Sequence, residues 1–242
     1  MTSDKLLCEI HDGIMTLSLN RPEKLNAIDN DLAHALLQSL HAAGEDRSVR
    51  VVLIRGNGRA FCAGRDLSAA PTDEDLTSVQ AVAKAIVNLS KPVVAAVHGW
   101  TVGAGLEWML NADIVVAASS ARFKLPEASL GVFVTGGLIA TLPAYAGLAR
   151  AKGLMLLGDE FSADDAHAWG LIWRVVKPEE LEPESSRIAK HLASLKPEVV
   201  ARFKRALNNV GLDNFSQAIE IENEAQRTVG ASPSNPAGTG SP

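Results

Sequence analysis

"VVAAVHGWTVGAGLEWMLNADIVVA", residues 93–117, carries the reading of the fold. It opens with an apolar run, passes through glycines, enters a stretch with helical character and leaves through a second apolar run. That is a strand, a turn, a short helix and another strand, the signature of an α/β core. The glycines invite comparison with a dinucleotide-binding loop. That fingerprint needs a further glycine three positions after Gly105, where Trp108 stands instead. One glutamate, Glu107, sits among Gly105, Leu106, Trp108, Met109 and Leu110. A carboxylate in such surroundings is unfavourable unless water or partners reach it.

Outward from this stretch the strand and helix rhythm repeats. On the N-terminal side, "KLLCEIHDGIMTLSLN" predicts a hairpin turning at Asp12-Gly13. "RPEKLNAIDN" is a loop, "DLAHALLQSLHAAG" a helix closing at Gly44, and "VRVVLIRG" a buried strand. "NGRAFCAGRDLSAAP" is a long irregular loop before the amphipathic helix of "DEDLTSVQAVAKAIVNLS". On the C-terminal side, "ARFKLPE" predicts a brief strand. "GGLIATLPAYAG", "LARAKGLMLLG" and "SADDAHAWG" predict short helices, and "LIWRVV" a strand. "PEELEPESSRIAKHLASL", "PEVVARFKRALNNV" and "DNFSQAIEIENEAQR" are helices. The chain therefore divides into an α/β core over 1–180, a helical region over 181–229, and a Gly/Ser/Pro tail over 230–242 expected to be disordered.

The chain has 242 residues, 47% of them hydrophobic, enough for a sizeable core, and a net charge of −5. The acidic balance and the lack of a basic stripe argue against nucleic acid as the main partner. Two cysteines, Cys8 and Cys62, make neither a disulfide framework nor a zinc site, and six scattered histidines offer no metal-ligand spacing. The N-terminus does not read as a signal peptide and no segment reads as a membrane span. A reducing cytoplasm is the expected compartment.

The candidate chemistry rests on two acids and two backbone positions. Glu107 follows Gly103-Ala104-Gly105 at a helix start, and Glu127 follows Pro126 at a strand end. On local pattern alone each reads first as an ordinary acid, Glu107 at a helix start and Glu127 in a loop. Ala104 lies where a first-turn N–H lacks a helical acceptor. Ala63 lies in the loop "AFCAG". If the two N–H groups converge they form an oxyanion hole. If not, the glycines serve tight packing alone. Arg65 and Asp66 either touch a ligand or close their loop with an ion pair.

In this order and spacing, "RPEKLNAID", "GNGRAFCAGRDL", residues 93–117, "FKLPEASLGV" and "GLARAKGLMLLGDEFSADDAHAWGLIWRVV" resemble the enoyl-CoA hydratase/isomerase, or crotonase, superfamily. The resemblance covers about residues 5 to 227. It implies a spiral of repeated strand-strand-helix units with a helical C-terminal region. It implies an oxyanion hole from the N–H groups of Ala63 and Ala104, and catalytic roles for Glu107 and Glu127. Lys24, Ala27, Gly64, Arg65, Asp66 and Leu67, with the two alanines, match segments lining the coenzyme A site. The implied reaction is addition of water to the 2,3 double bond of a 2-enoyl-CoA, without metal or redox cofactor, by a homotrimer or homohexamer. An enoyl-CoA isomerase, or a non-catalytic CoA-ester or RNA-binding member, is the alternative. Two segments depart from the family pattern: Phe133, Val134 and Thr135 stand in the loop after Glu127, and the tail begins where another helix is usual.

Overall fold

The computed structural model describes residues 4–68 and 72–231. Leu6–His11 (β1) and Ile14–Leu19 (β2) form the antiparallel hairpin expected at Asp12-Gly13. Both turn residues have positive φ, 51° and 77°, as the tight turn favoured by strand twist requires. Val51–Gly56 (β3), Val93–Val97 (β4), Ile114–Ala118 (β6) and Arg174–Val176 (β9) then add in parallel. The resulting six-stranded sheet has the order β1-β2-β3-β4-β6-β9. Trp100–Val102 (β5), Arg122–Lys124 (β7) and Phe161–Ser162 (β8) make a second, three-stranded sheet.

The connecting helices are Asn30–Glu45 (α1), Asp73–Asn88 (α2), Ala104–Leu110 (α3) and Glu127–Leu130 (α4). A turn of the spiral is thus a strand of the large sheet, a short strand of the small one and a helix. Strands β4 and β5 lead into α3, and β6 and β7 lead into α4. Strand β3 leads through Cys62, which makes a parallel bridge to Thr101, into α2. The expected spiral α/β architecture is present. Leu138–Ala146 (α5), Leu148–Leu157 (α6) and Ala163–Ala168 (α7) follow, then Leu181–Ser194 (α8), Pro197–Gly211 (α9) and Phe215–Ala231 (α10).

Both faces of the large sheet are buried, which is why its central strands read as unbroken apolar runs. Val52, Ile54, Ala95, Val97 and Val115 belong to the core that includes Leu36 and Leu40 of α1, Ile86 of α2 and Met109 of α3. Leu53, Val94, Ala96 and Val116 pack instead with Leu181, Ile188 and Ala189 of α8. The first C-terminal helix therefore belongs to the core of the sheet.

Some expected boundaries change. Helix α1 runs through Gly44 and ends at Asp46, whose N–H caps onto Ala42 O. The strand expected at 171–176 pairs only over Arg174–Val176. Helix α10 continues to Ala231, so residues 230 and 231 close a helix and do not open a tail. The rest of the segment expected to be disordered, 232–242, lies outside the described residues. No described helix is long and apolar enough to cross a membrane.

Candidate active site

Helix α3 begins against two other segments because of its glycines. Gly103, its N-cap, has φ 51° and ψ −125°, a conformation open to glycine and strained for other residues. A Cβ on Gly103 would lie 2.6 Å from Glu127 Oε1, and one on Gly105 would lie 2.6 Å from Cys62 O. So Gly103 admits the Glu127 carboxylate and Gly105 admits the 61–66 loop. Ala104 is the first helical residue. Among the described residues no acceptor takes its N–H, which leaves that donor aimed out of the helix.

Glu107 sits one turn further along and is buried, 1% exposed. Its Oε1 accepts from the Thr135 N–H and its Oε2 from Thr135 Oγ1, both at 2.9 Å. Burial pushes its carboxyl above the usual range, while the bonds from Thr135 and the Gly136 N–H oppose that rise by favouring the charged form. Glu127, at the start of α4, is pushed up to about 8, first by burial and then by the charge of Glu107. Its Oε2 is buried without a hydrogen-bond partner among the described residues. The two glutamates therefore differ. Glu107 has donors for an anion, whereas Glu127 has little to hold a charge and favours the protonated form at neutral pH.

The segments expected to line the coenzyme A site are brought together. Ile28 N–H donates to Gly64 O and Asp66 N–H to Ile28 O, each at 2.8 Å. Arg21 donates to Asp66 Oδ2 at 2.9 Å and to Ala27 O at 2.6 Å, and approaches Asp29 Oδ2 at 3.2 Å. Hydrogen bonds from Ser68, then that from Arg21, hold the Asp66 carboxyl down at about 2. Asp66 thus closes its loop with an ion pair, the structural alternative left open above. Lys24 and Leu67 are exposed beside it. A Cβ on Gly64 would lie 2.7 Å from Val102 O and 3.7 Å from Ala104 N, so this wall abuts the α3 start.

One assignment is corrected. Ala63 N–H donates to Leu25 O at 3.0 Å. That donor is spent within the fold, bracing the 61–66 loop on the 25–28 segment, and does not serve an oxyanion hole. In the parallel bridge between Ile28 and Arg65 the residues flanking Arg65 bond Ile28. The Arg65 N–H is therefore directed to the opposite side of the segment.

A third carboxylate escaped the sequence reading. Glu222 of α10 is fully buried; its Oε2 accepts from the Gly137 N–H at 2.8 Å and its Oε1 from the Ile139 N–H at 3.0 Å. Burial first, and then the Glu107 charge, raise it to about 7. The available signal was its spacing. Phe215, Ala218, Ile219 and Glu222 follow i, i+3, i+4, i+7, so the acid lies on the buried stripe. Among the described residues no group of three or more His, Cys, Asp or Glu is arranged to hold a metal ion. A cavity of about 530 Å³ bounded by Arg55, His98 and Ser185 lies on the other face of the sheet, beside α8, and shares no residue with this site.

The sequence profile of the enoyl-CoA hydratase/isomerase family matches residues 9–239, and the chain belongs to that family. It is 37% identical over 237 residues to the 1,2-epoxyphenylacetyl-CoA isomerase of Escherichia coli, covering 94% of this chain and 90% of that protein. It is 34% identical to the crotonyl-CoA hydratase of Syntrophomonas wolfei, covering 93% and 89%. The crystal structure of an enoyl-CoA hydratase from Mycobacterium avium subsp. paratuberculosis superposes with a TM-score of 0.92 at 31% identity, over 96% of both chains. The family is one of enzymes, and relatives at about 35% identity bear hydratase, isomerase and dehydratase names.

Proposed function

We propose that the protein is an enoyl-CoA hydratase, adding water across the 2,3 double bond of a 2-enoyl-CoA to give a 3-hydroxyacyl-CoA. The observation that carries this reading is the pair of unlike carboxylates, Glu107 within α3 and Glu127 against its N-cap Gly103, beside an Ala104 N–H that no acceptor among the described residues takes. Ionised Glu107 takes a proton from water as its oxygen bonds the β-carbon. The electron pair of the double bond moves toward the thioester, and negative charge gathers on the carbonyl oxygen. The Ala104 N–H stabilises that charge, facing the wall from which the Arg65 N–H is directed. Protonated Glu127 delivers a proton to the α-carbon. The net addition is one water, and the proton held by Glu107 returns to Glu127 through solvent to reset the pair. No metal or redox cofactor enters these steps. Lys24, Ala27, Gly64, Arg65, Asp66 and Leu67 line the coenzyme A side.

Two observations favour isomerase as the second reading. Both oxygens of Glu107 are tied to Thr135, which leaves Glu127 as a single proton carrier, and the Escherichia coli relative bears an isomerase name. A panel of 2-enoyl- and 3-enoyl-CoA thioesters, followed by absorbance and product mass, separates the two. Hydration requires both acids, so Glu107→Gln and Glu127→Gln each lower it by at least about 100-fold. Isomerisation is spared by Glu107→Gln. Wild-type protein that isomerises and never hydrates overturns the hydratase reading.

The protein assembles as a homotrimer or homohexamer. Supporting this, Phe203, Leu207 and Val210 form an exposed stripe on α9, from 64% to 83% exposed, which a neighbouring copy would cover. A stable monomer in sedimentation at micromolar concentration counts against it. The free thiols of Cys8 and Cys62 fit a reducing cytoplasm.

A further inference from the structure

The loop 133–139 is held from two sides. On one side Thr135 donates twice to Glu107, and Asn111 of the α3 C-cap donates to Gly136 O at 2.9 Å. On the other side α10 accepts three of its N–H groups: Phe133 to Gln226 Oε1 at 2.6 Å, and Gly137 and Ile139 to Glu222. The Phe215 ring of α10 lies where a Cβ on Gly137 would come within 2.2 Å of it. Asn223, between the two acceptors, takes a hydrogen bond from Gln80 of α2. The residues that α10 grips, 133, 137 and 139, bracket Thr135 and Gly136, which bond the catalytic acid.

We propose that α10 is part of the catalytic apparatus, with Glu222 and Gln226 as positioning residues that fix the 133–139 loop so that Thr135 holds Glu107 in its working orientation. This rests on Glu107 acting as the base. The burial of Glu222 supports it. A fully buried carboxylate near another is unfavourable, and an apolar residue on the same stripe would pack α10 without that penalty. What the carboxylate supplies is acceptors for two N–H groups, those of Gly137 and Ile139, where the loop enters α5. The titratable groups facing Glu107 are Glu127 from α4 and Glu222 from α10, and its other contacts, Thr135 and Gly136, do not titrate.

The test uses the full chain with Gln226→Leu, which removes one acceptor without changing charge. Loosening Thr135 lowers kcat by about 10- to 100-fold, the scale of a displaced catalytic group, and leaves KM within a factor of about three. The ionised form of Glu107 loses donors, so the acid limb of the pH profile moves to higher pH. Gln226→Glu keeps the acceptor and most of kcat. Glu222→Gln, with one acceptor oxygen where there were two, also lowers kcat at constant KM. Glu220→Gln, exposed on the same helix, changes nothing. Circular dichroism and thermal melting confirm folding. The Glu107 carboxyl band in infrared spectra, identified by its loss in Glu107→Gln, gives an activity-free titration. In Gln226→Leu its midpoint rises even if the wild type hydrates nothing, an outcome that would sink the hydratase reading alone. Folded Gln226→Leu and Glu222→Gln variants with normal kcat overturn the inference. So does a loss confined to KM, or a Glu107 titration that Gln226→Leu leaves unmoved.

Discussion

Replacing Thr135 by valine removes the hydroxyl that donates to Glu107 Oε2 and leaves the backbone N–H bond to Oε1 in place. Valine has nearly the same shape, so the lost term is one hydrogen bond to a charged acceptor. Such bonds contribute about 1.5–3 kcal/mol, and about 1.4 kcal/mol corresponds to one pKa unit. The Glu107 carboxyl, already raised by burial, therefore rises further. The base must be ionised, so the acid limb moves to higher pH, and activity at pH values below that limb falls about 10- to 100-fold. Raising the pH recovers only part of the loss. Glu127 must stay protonated to serve the α-carbon, and it titrates at about 8. The two limbs of the profile approach each other and the maximum itself drops. The measurement is the pH dependence of kcat for hydration of a short 2-enoyl-CoA, with Thr135→Ser, which keeps a hydroxyl, as the reference. A folded Thr135→Val protein whose acid limb stays where the wild type has it would falsify the assignment of that limb to Glu107.

Three further outcomes are expected. Ala104→Pro removes the N–H at a first-turn position and, in protein shown to be folded by circular dichroism, lowers hydration by about 100- to 1000-fold. Ala104→Gly keeps most activity, and equal loss in both folded variants points to packing. Glu222 and Glu127 titrate at about 7 and 8, above the unfolded value of about 4.3. The folded state therefore holds extra protons between those pH values, and stability, full below about 4.3, declines as pH rises toward 8. Urea midpoints should fall from pH 5 to 8, with a shallower slope in Glu222→Gln. Asp66, held at about 2, adds stability above about 4 that is lost only on acidification, outside this window; midpoints that climb from pH 5 to 8 contradict the assignment. Lys204→Met takes the cation from Asp113, whose Oδ2 keeps the Val93 N–H, and strands the carbonyls of Ile86 and Lys91, all bonded by the buried Lys204 ammonium. About 3 kcal/mol of stability should be lost, and chemical denaturation showing no change would mean that the pair is replaceable.

Residues whose geometry is set locally were legible in the sequence. The hairpin follows from Asp12-Gly13, and the placing of Ala104 and Glu107 follows from a strand, two glycines and a helix within one short stretch. Strands β5 and β8 and helix α4 span three, two and four residues, too short for any periodicity to appear. Ala63 was misassigned because the acceptor of its N–H, Leu25, lies far back in the chain, and pairing at that range leaves no local mark. Glu222 was passed over for a related reason. Its stripe reads as an amphipathic face in need of cover, and only the folded chain shows that the cover is the loop beside Glu107.

The polar end of the central strands has its own consequence. A strand that is polar on one face cannot slip by one residue without turning that face inward. Strands β4 and β6 are apolar on both faces and lack that protection. Their alignment is fixed instead where β4 starts and β6 is entered. Val93 N–H donates to Asp113 Oδ2 at 2.7 Å, Asp113 N–H returns to Val93 O at 2.9 Å, and Lys204 closes the pin at 2.7 Å. A slip of one residue advances a strand by about 3.3 Å. It would carry the Ala104 N–H and the Glu127 carboxylate out of step with each other, because they follow β4 and β6 respectively. An ion pair at the far end of the sheet thus acts as the gauge that sets where the Ala104 N–H and the Glu127 carboxylate stand relative to each other.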